Sequence, residues 1–191
     1  MLLKKIICKP FKIAYQIYVK KQFDSVGKNV LFDRLLRVQG GENINIGDSV
    51  NIHRGTWLAA VSLGDKKANL SINSGCVIGY YNHIFATRKI VIEKDVITAK
   101  NVYISDNLHS YENIFIAISK QPIKQLNDVV VGEGSWIGEN ACIIGASIGK
   151  HCIVGANAVV THDVPDFSVV VGVPARVIKH YDFKKEMWVK D

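Results

Sequence analysis

No run of about twenty apolar residues occurs in this chain, so no helix of it is expected to cross a bilayer. Cysteine is sparse, and the four present (Cys8, Cys76, Cys142, Cys152) form no C-x-x-C pair. That spacing argues against a zinc ribbon or a disulfide framework and fits reduced, packed thiols in a cytosolic protein. Acidic residues are missing from positions 1–22, where six lysines stand. Beyond that stretch the basic residues are not interleaved with aromatics, so the net charge of +7 does not describe a nucleic-acid surface. Lys9 and Lys12 interrupt the early apolar run and no small-residue cleavage site follows, so a signal peptide is not expected. With 191 residues and 48% hydrophobic content the chain can bury a core, and length alone allows one domain or two small ones.

What is present is a rhythm. From Val131 to Val160 the chain reads VGEGSW, IGENAC, IIGAS, IGKHCI, VGANAV, V, with an aliphatic residue at nearly every sixth position, usually followed by Gly. Neither an amphipathic helix nor a hairpin has this period. It is the pattern of a β-helix whose six-residue units each make one strand and one corner, three units to a turn. The aliphatic residue is expected inside, and the Gly after it is expected to ease the corner. The same period starts early, in the triplets Val26, Phe32, Val38, then Ile46, Ile52, Leu58, then Ile72, Ile78, Ile84, then Ile92, Thr98, Ile104. A small or β-branched residue recurs in the fifth slot (Val50, Thr56, Ser62, Cys76, Val96, Val102, Ser135, Ala141, Ser147, Cys152, Ala158), as a narrow interior demands. The unit Ile143–Ser147 is one residue short.

The reading is one all-β solenoid: repeats over 25–165, a loop inserted at 105–130, and a C-terminal tail from 166 to 191. A loop that long inside a strict repeat is more often functional than idle. Residues 1–24 are read as a basic amphipathic helical segment, its apolar stripe starting from Pro10 as a first-turn residue, in which Ile13, Ala14, Ile17 and Tyr18 line one side and Lys5, Lys9, Lys12, Gln16 and Lys20 the other. Such a helix either plugs the foot of the solenoid through its apolar stripe or lies on an anionic membrane surface.

The blocks V-V-V-G-E-G-S-W-I-G at 129–138, G-A-N-A-V-V-T-H-D-V-P at 155–165 and G-V-P-A-R-V-I at 172–178 resemble the hexapeptide-repeat acetyltransferases. Within that family the likeness is to sugar and polysaccharide O-acetyltransferases of the galactoside and maltose acetyltransferase type. The resemblance runs from about Ile46 to Ile178. It implies a left-handed parallel β-helix, a hand that ordinary parallel crossovers do not take. It also implies a homotrimer with active sites between neighbouring copies and acetyl-CoA as cosubstrate; a metal is not expected, on the spacing of the His. The β-helical carbonic anhydrases carry two zinc ligands as H-x-x-x-x-H, and no two His here are five apart.

Moving an acetyl group from a thioester to a sugar hydroxyl needs a base, and His suits that near neutral pH. In relatives the catalytic His stands at the mouth of this loop, often within D-H-x-H-x-Y. Here the segment is D-N-L-H-S-Y-E, so Asn107 replaces the first His and His109 is left as the candidate base. Asp106, or a backbone carbonyl, would hold its tautomer. Asn82, His83, Asn107 and Tyr111 are candidates for the acceptor; His53 and His151 read as corner residues. Cys142 and Cys152 have no His partner dictated by sequence, so a nucleophilic thiol is not expected. The resemblance places Trp136, Ala156, Thr161 and His162 along the pantetheine arm, and Arg176 and Lys179 at the phosphates. Relatives often have Lys where His162 stands, which makes attraction there pH-dependent. Against these roles stand packing for Trp136 and a surface ion pair for Arg176.

The leading expectation is a cytoplasmic acetyl-CoA-dependent O-acetyltransferase acting on a sugar or glycan in surface-polysaccharide assembly, peripheral at the inner face of the membrane if the helix docks there. N-acetylation of an amino sugar or xenobiotic, and a non-catalytic trimeric scaffold, are the alternatives.

Overall fold

The computed structural model describes residues 2–191, with side chains from residue 11 onward. The lysines at 4, 5 and 9 and the thiol of Cys8 lie outside the described side chains. Nearly all the strands are two to four residues long, and the chain deals them in rotation to three sheets. Apart from the insertion and the C-terminal meander, each strand pairs in parallel with one from the preceding set of three, as a six-residue step dealt to three sheets requires.

The register follows the aliphatic slot. In the first sheet Val26, Ile46, Ile72, Ile92, Val131 and Ile148 stand in one column. The second holds Phe32, Ile52, Ile78, Thr98, Ile137, Val154 and Val170. The third holds Val38, Leu58, Ile84, Ile104, Ile143 and Val160. These columns form the buried core, and each fully buried Ile or Leu contributes about 1.5–3 kcal/mol. Thr98 is tolerated among them because its hydroxyl accepts from Gly79 N and Asn82 Nδ2. Of the fifth-slot residues, Cys76 and Cys152 are buried, and burial raises both thiol pKa values, that of Cys76 to about 11. Ser62 is instead exposed, on a surface bulge where its hydroxyl accepts from Ala68 N. In the short unit Ala146 takes the inner place in lieu of Ser147, and Gly145, at φ 59, turns the corner with one residue fewer.

The glycine after each aliphatic residue has a different task from the one its flexibility suggests. At Gly138 a Cβ would stand 2.6 Å from Ala156 N, so the slot is empty because the next turn's backbone passes through it. The left-handed residue comes two positions later, at Asn140, His151 or Asn157. Asn101, Asn140 and Asn157 then hydrogen-bond up the corner between the second and third sheets, a ladder that suits side chains tolerant of positive φ.

At the foot, α1 spans Leu2–Lys20 and so includes Pro10, beyond the expected start. Its docked side is not the apolar stripe. Tyr15 and Gln16 are half-buried and Val19 is buried, whereas Ile13, Ala14, Ile17 and Tyr18 are exposed. The open edge of the second sheet needs hydrogen bonds, which aliphatic side chains cannot supply. Gln16 Nε2 donates to Phe32 O and Gln16 Oε1 accepts from Phe32 N, while Tyr15 OH accepts from Leu35 N.

At the other end the parallel stacking continues past Pro165, where the sequence pattern alone would end it. Ser168–Val171 still pairs in parallel with Ile153–Val154, and only then do Arg176–Asp182 and Met187–Lys190 add an antiparallel meander.

Candidate active site

Irregularity in the repeat is confined to one edge. The intervals 38 to 46, 58 to 72, 84 to 92, 104 to 131 and 143 to 148 all cross from the third sheet to the first. The long insertion leaves this edge as an arm: Asn107–His109 pairs antiparallel with Ile123–Gln125. Lys124 Nζ bonds Glu112 across the arm at 2.5 Å, and Gln121 Nε2 ties the tip to Asn113 O and Ile116 O.

Asp106 anchors the arm. Its carboxylate is fully buried and accepts from Thr87 N, Thr87 Oγ1 and Asn107 Nδ2 on one oxygen and from Arg88 N and Lys89 N on the other. Those donors leave no lone pair aimed at His109, so the expected orienting role is corrected to a structural one. Asn107 is corrected likewise: it is buried, with its amide given to Phe85 O and Asp106. Asn82 is also buried; it accepts from Val102 N and donates to Thr98 and Ala99, which occupies the group expected to meet an acceptor.

His109 is exposed, and its imidazole has no hydrogen-bond partner among the described residues. Alternation along the strand puts Leu108 and His109 on opposite sides of the arm. Leu108 lines a cleft of about 550 Å³ with Arg88, Gln125, Leu126, Asn127, Ile144, Gly145 and Thr161. Leu126 lies over Gly145, where any side chain would displace it. A second cleft of about 300 Å³ is lined by His162, Asp163, Ala175, Arg176 and neighbouring valines. Thr161 Oγ1 and His162 Nδ1 are 3.1 Å apart. The Arg176 guanidinium bonds Ala175 O and pairs with no carboxylate among the described residues, which removes the surface ion pair. Tyr111 is exposed near the tip.

The remaining expected cofactor residues lie elsewhere. Trp136 is 52% exposed on the outer face of the second sheet, and Lys179 pairs with Val169 at the top of that sheet. Ala156 is exposed at the corner between the second and third sheets. One copy of the chain therefore does not bring Trp136 to His109 or Thr161.

A further group escaped the sequence reading. On the outer face of the third sheet Trp57 stacks on His83 at 4.2 Å, with Tyr103 5.3 Å beyond and Arg37 over the other face of Trp57. Each of these residues precedes an inward aliphatic by one position, so strand alternation could have found them. Trp57 Nε1 and His83 Nε2 are buried without a partner. Burial lowers the His83 pKa below its ordinary 6.5. The sign follows: as pH falls below 6.5 the unfolded chain takes up this proton first, so stability drops. His83→Phe is expected to flatten that acid limb in thermal melts; an unchanged limb would assign it to other groups. Arg88, Gln125 and Asn127 were missed for want of any period in the insertion. Arg88 Nε lies 2.6 Å from Asp128 Oδ1, a short ion pair without hydrogen-bond alignment. The other His are structural: His151 has φ 49 and stacks on Phe167, His53 stacks on Tyr80, and His180 pairs with Asp191.

The hexapeptide repeat of succinyl-transferase matches residues 128–162. A protein of Escherichia coli K12 named for lipopolysaccharide-biosynthesis O-acetyl transfer, WbbJ, is 27% identical over 96% of this chain and 94% of its own length. The galactoside O-acetyltransferase of the same organism is 27% identical over 87% of this chain and 71% of its own. Among solved structures, AntD of Bacillus cereus, an N-acyltransferase, superposes with a TM-score of 0.73 at 24% identity over 89% of this chain and 90% of its own, a likeness of fold. Repeat register, one-edged insertion and relatives matched over most of their own length agree in one likeness: the chain is similar to hexapeptide-repeat acetyltransferases.

Proposed function

We propose that this protein is a cytoplasmic, acetyl-CoA-dependent O-acetyltransferase acting on a sugar hydroxyl in surface-polysaccharide or glycan assembly. In this reading the three sheets close as a left-handed parallel β-helix and three copies assemble. The observation that carries it is the exposed, unpartnered His109 at the root of the one long arm, whose other side lines a cleft with Thr161, while His162 and Arg176 line a second.

The chemistry asks little of the chain. An imidazole nitrogen of His109 takes the proton of the acceptor hydroxyl as its oxygen bonds to the thioester carbonyl carbon. The carbon–sulfur bond then breaks, and the proton returns to the departing thiolate. Transfer is direct, since Cys76 and Cys152 are buried with raised pKa values and serve poorly as acyl carriers. Thr161 and His162 contact the pantetheine arm, and the Arg176 guanidinium meets phosphate. Tyr111 and His83 remain as acceptor contacts. His109 lies on the side of the arm away from Leu108, and Trp136 lies on another sheet, so a neighbouring copy supplies the second wall.

A CoA-release screen over sugars, amino sugars and nucleotide-linked sugars, run on size-separated fractions, tests this. Release with a hydroxyl acceptor, confined to the trimer fraction, is expected. Release only with amino sugars would change the reaction to N-acetylation, and an active monomer would remove the shared cleft.

A further inference from the structure

The N-terminal helix has two sides, and the fold uses one. Tyr15, Gln16 and Val19 cap the first turn, and just beyond the helix Phe23 stacks on Phe32 at 5.2 Å. The opposite side is a continuous apolar stripe at helical spacing. Phe11 is 73% exposed, Ile13 60%, Ile17 55% and Tyr18 66%, with Ala14 between them. Capping is complete without this stripe, so it is not spare core.

We infer that this stripe docks on the surface of an anionic phospholipid bilayer, with the helix lying in the interface. Charge is the first argument. Positions 1–22 hold six lysines and no acid, and Lys12 and Lys21 are exposed on the described part. Bringing the same stripes of several copies together would crowd those like charges around one apolar seam, whereas an anionic surface neutralises them. Length and composition are the second argument. No helix among the described residues is long and apolar enough to cross a membrane, yet this one has a wet apolar side of several large residues beside a basic one. That combination partitions into the headgroup boundary. Each exposed lysine is worth about a fivefold factor in binding near such a surface, fading within a Debye length. The inference stands on the helix alone and does not depend on acetyl transfer; if that reading holds, docking would concentrate the enzyme near lipid-linked acceptors.

The full chain is mixed with phosphatidylcholine vesicles with and without phosphatidylglycerol, then sedimented. Binding is expected only with the anionic lipid and is expected to weaken with salt. Ile13→Ser with Ile17→Ser is expected to lower partitioning at least tenfold with an unchanged melting midpoint, because the cap residues are untouched. Lys12→Gln with Lys21→Gln is expected to do so by about twenty-five-fold at low salt. This second variant keeps the test open if the first misfolds. Intact protein that ignores anionic vesicles would overturn the inference. So would either variant binding as well as the parent, or loss of a lipid-free oligomer in the serine variant, which would make the stripe a contact between copies.

Discussion

His109→Ala is expected to lower kcat at least ~100-fold, the loss typical of a general base, with little change in acetyl-CoA affinity. The side chain is exposed and holds nothing in place, so its removal should leave the melting midpoint where it was. Few site variants separate chemistry from folding so well. The measurement is steady-state turnover alongside thermal denaturation and CoA binding. Turnover near the parent value would move the base to His83, whose pKa burial lowers, or would remove the enzyme reading altogether.

Asp106→Ala is expected to act in the opposite way, through stability. Its loss strands the buried backbone N–H of Thr87 and leaves the part-buried N–H groups of Arg88 and Lys89 without their acceptor. A buried donor left unpaired costs about 1–3 kcal/mol, and water can reach the other two, so a loss of roughly 2–4 kcal/mol is expected. Activity would fall because the arm loses its root, and amide exchange at 87–89 and 107–109 would quicken. A variant that keeps its melting midpoint and its exchange protection yet loses kcat would restore Asp106 as the partner of His109.

The contrast between these two neighbours shows where sequence reasoning stopped. D-N-L-H reads as a catalytic string because relatives use such a string. The fold divides it: Asp106 and Asn107 are turned into the corner and consumed by Thr87, Arg88, Lys89 and Phe85, and only His109 is left facing water. Nothing in residue type distinguishes a carboxylate that orients an imidazole from one that collects backbone donors. Only the register, which sets Phe85 beside Ser105 and Ala86 beyond it, brings Thr87 under Asp106. The helix teaches the same lesson in reverse. Its amphipathic pattern was legible, but hydrophobicity said nothing about which side would be buried. The free edge of the second sheet chose Gln16 and Tyr15, because unpaired backbone groups cost more there than exposed aliphatic surface.

The sequence by itself determined the repeat, the register and the core. A six-residue period with one inward aliphatic admits a single stacking, and a slip by one residue would turn every Ile and Val to solvent. His109 stood out by its place in the one long interruption, whereas Thr161, His162 and Arg176 were singled out only through the resemblance. Tertiary structure decided the rest: which polar groups are spent on the fold, that Asp106 roots the arm, and that Tyr15 and Gln16 dock the helix in place of its apolar stripe. Those outcomes depend on contacts between turns some twenty residues apart and on packing at corners, which no local pattern records.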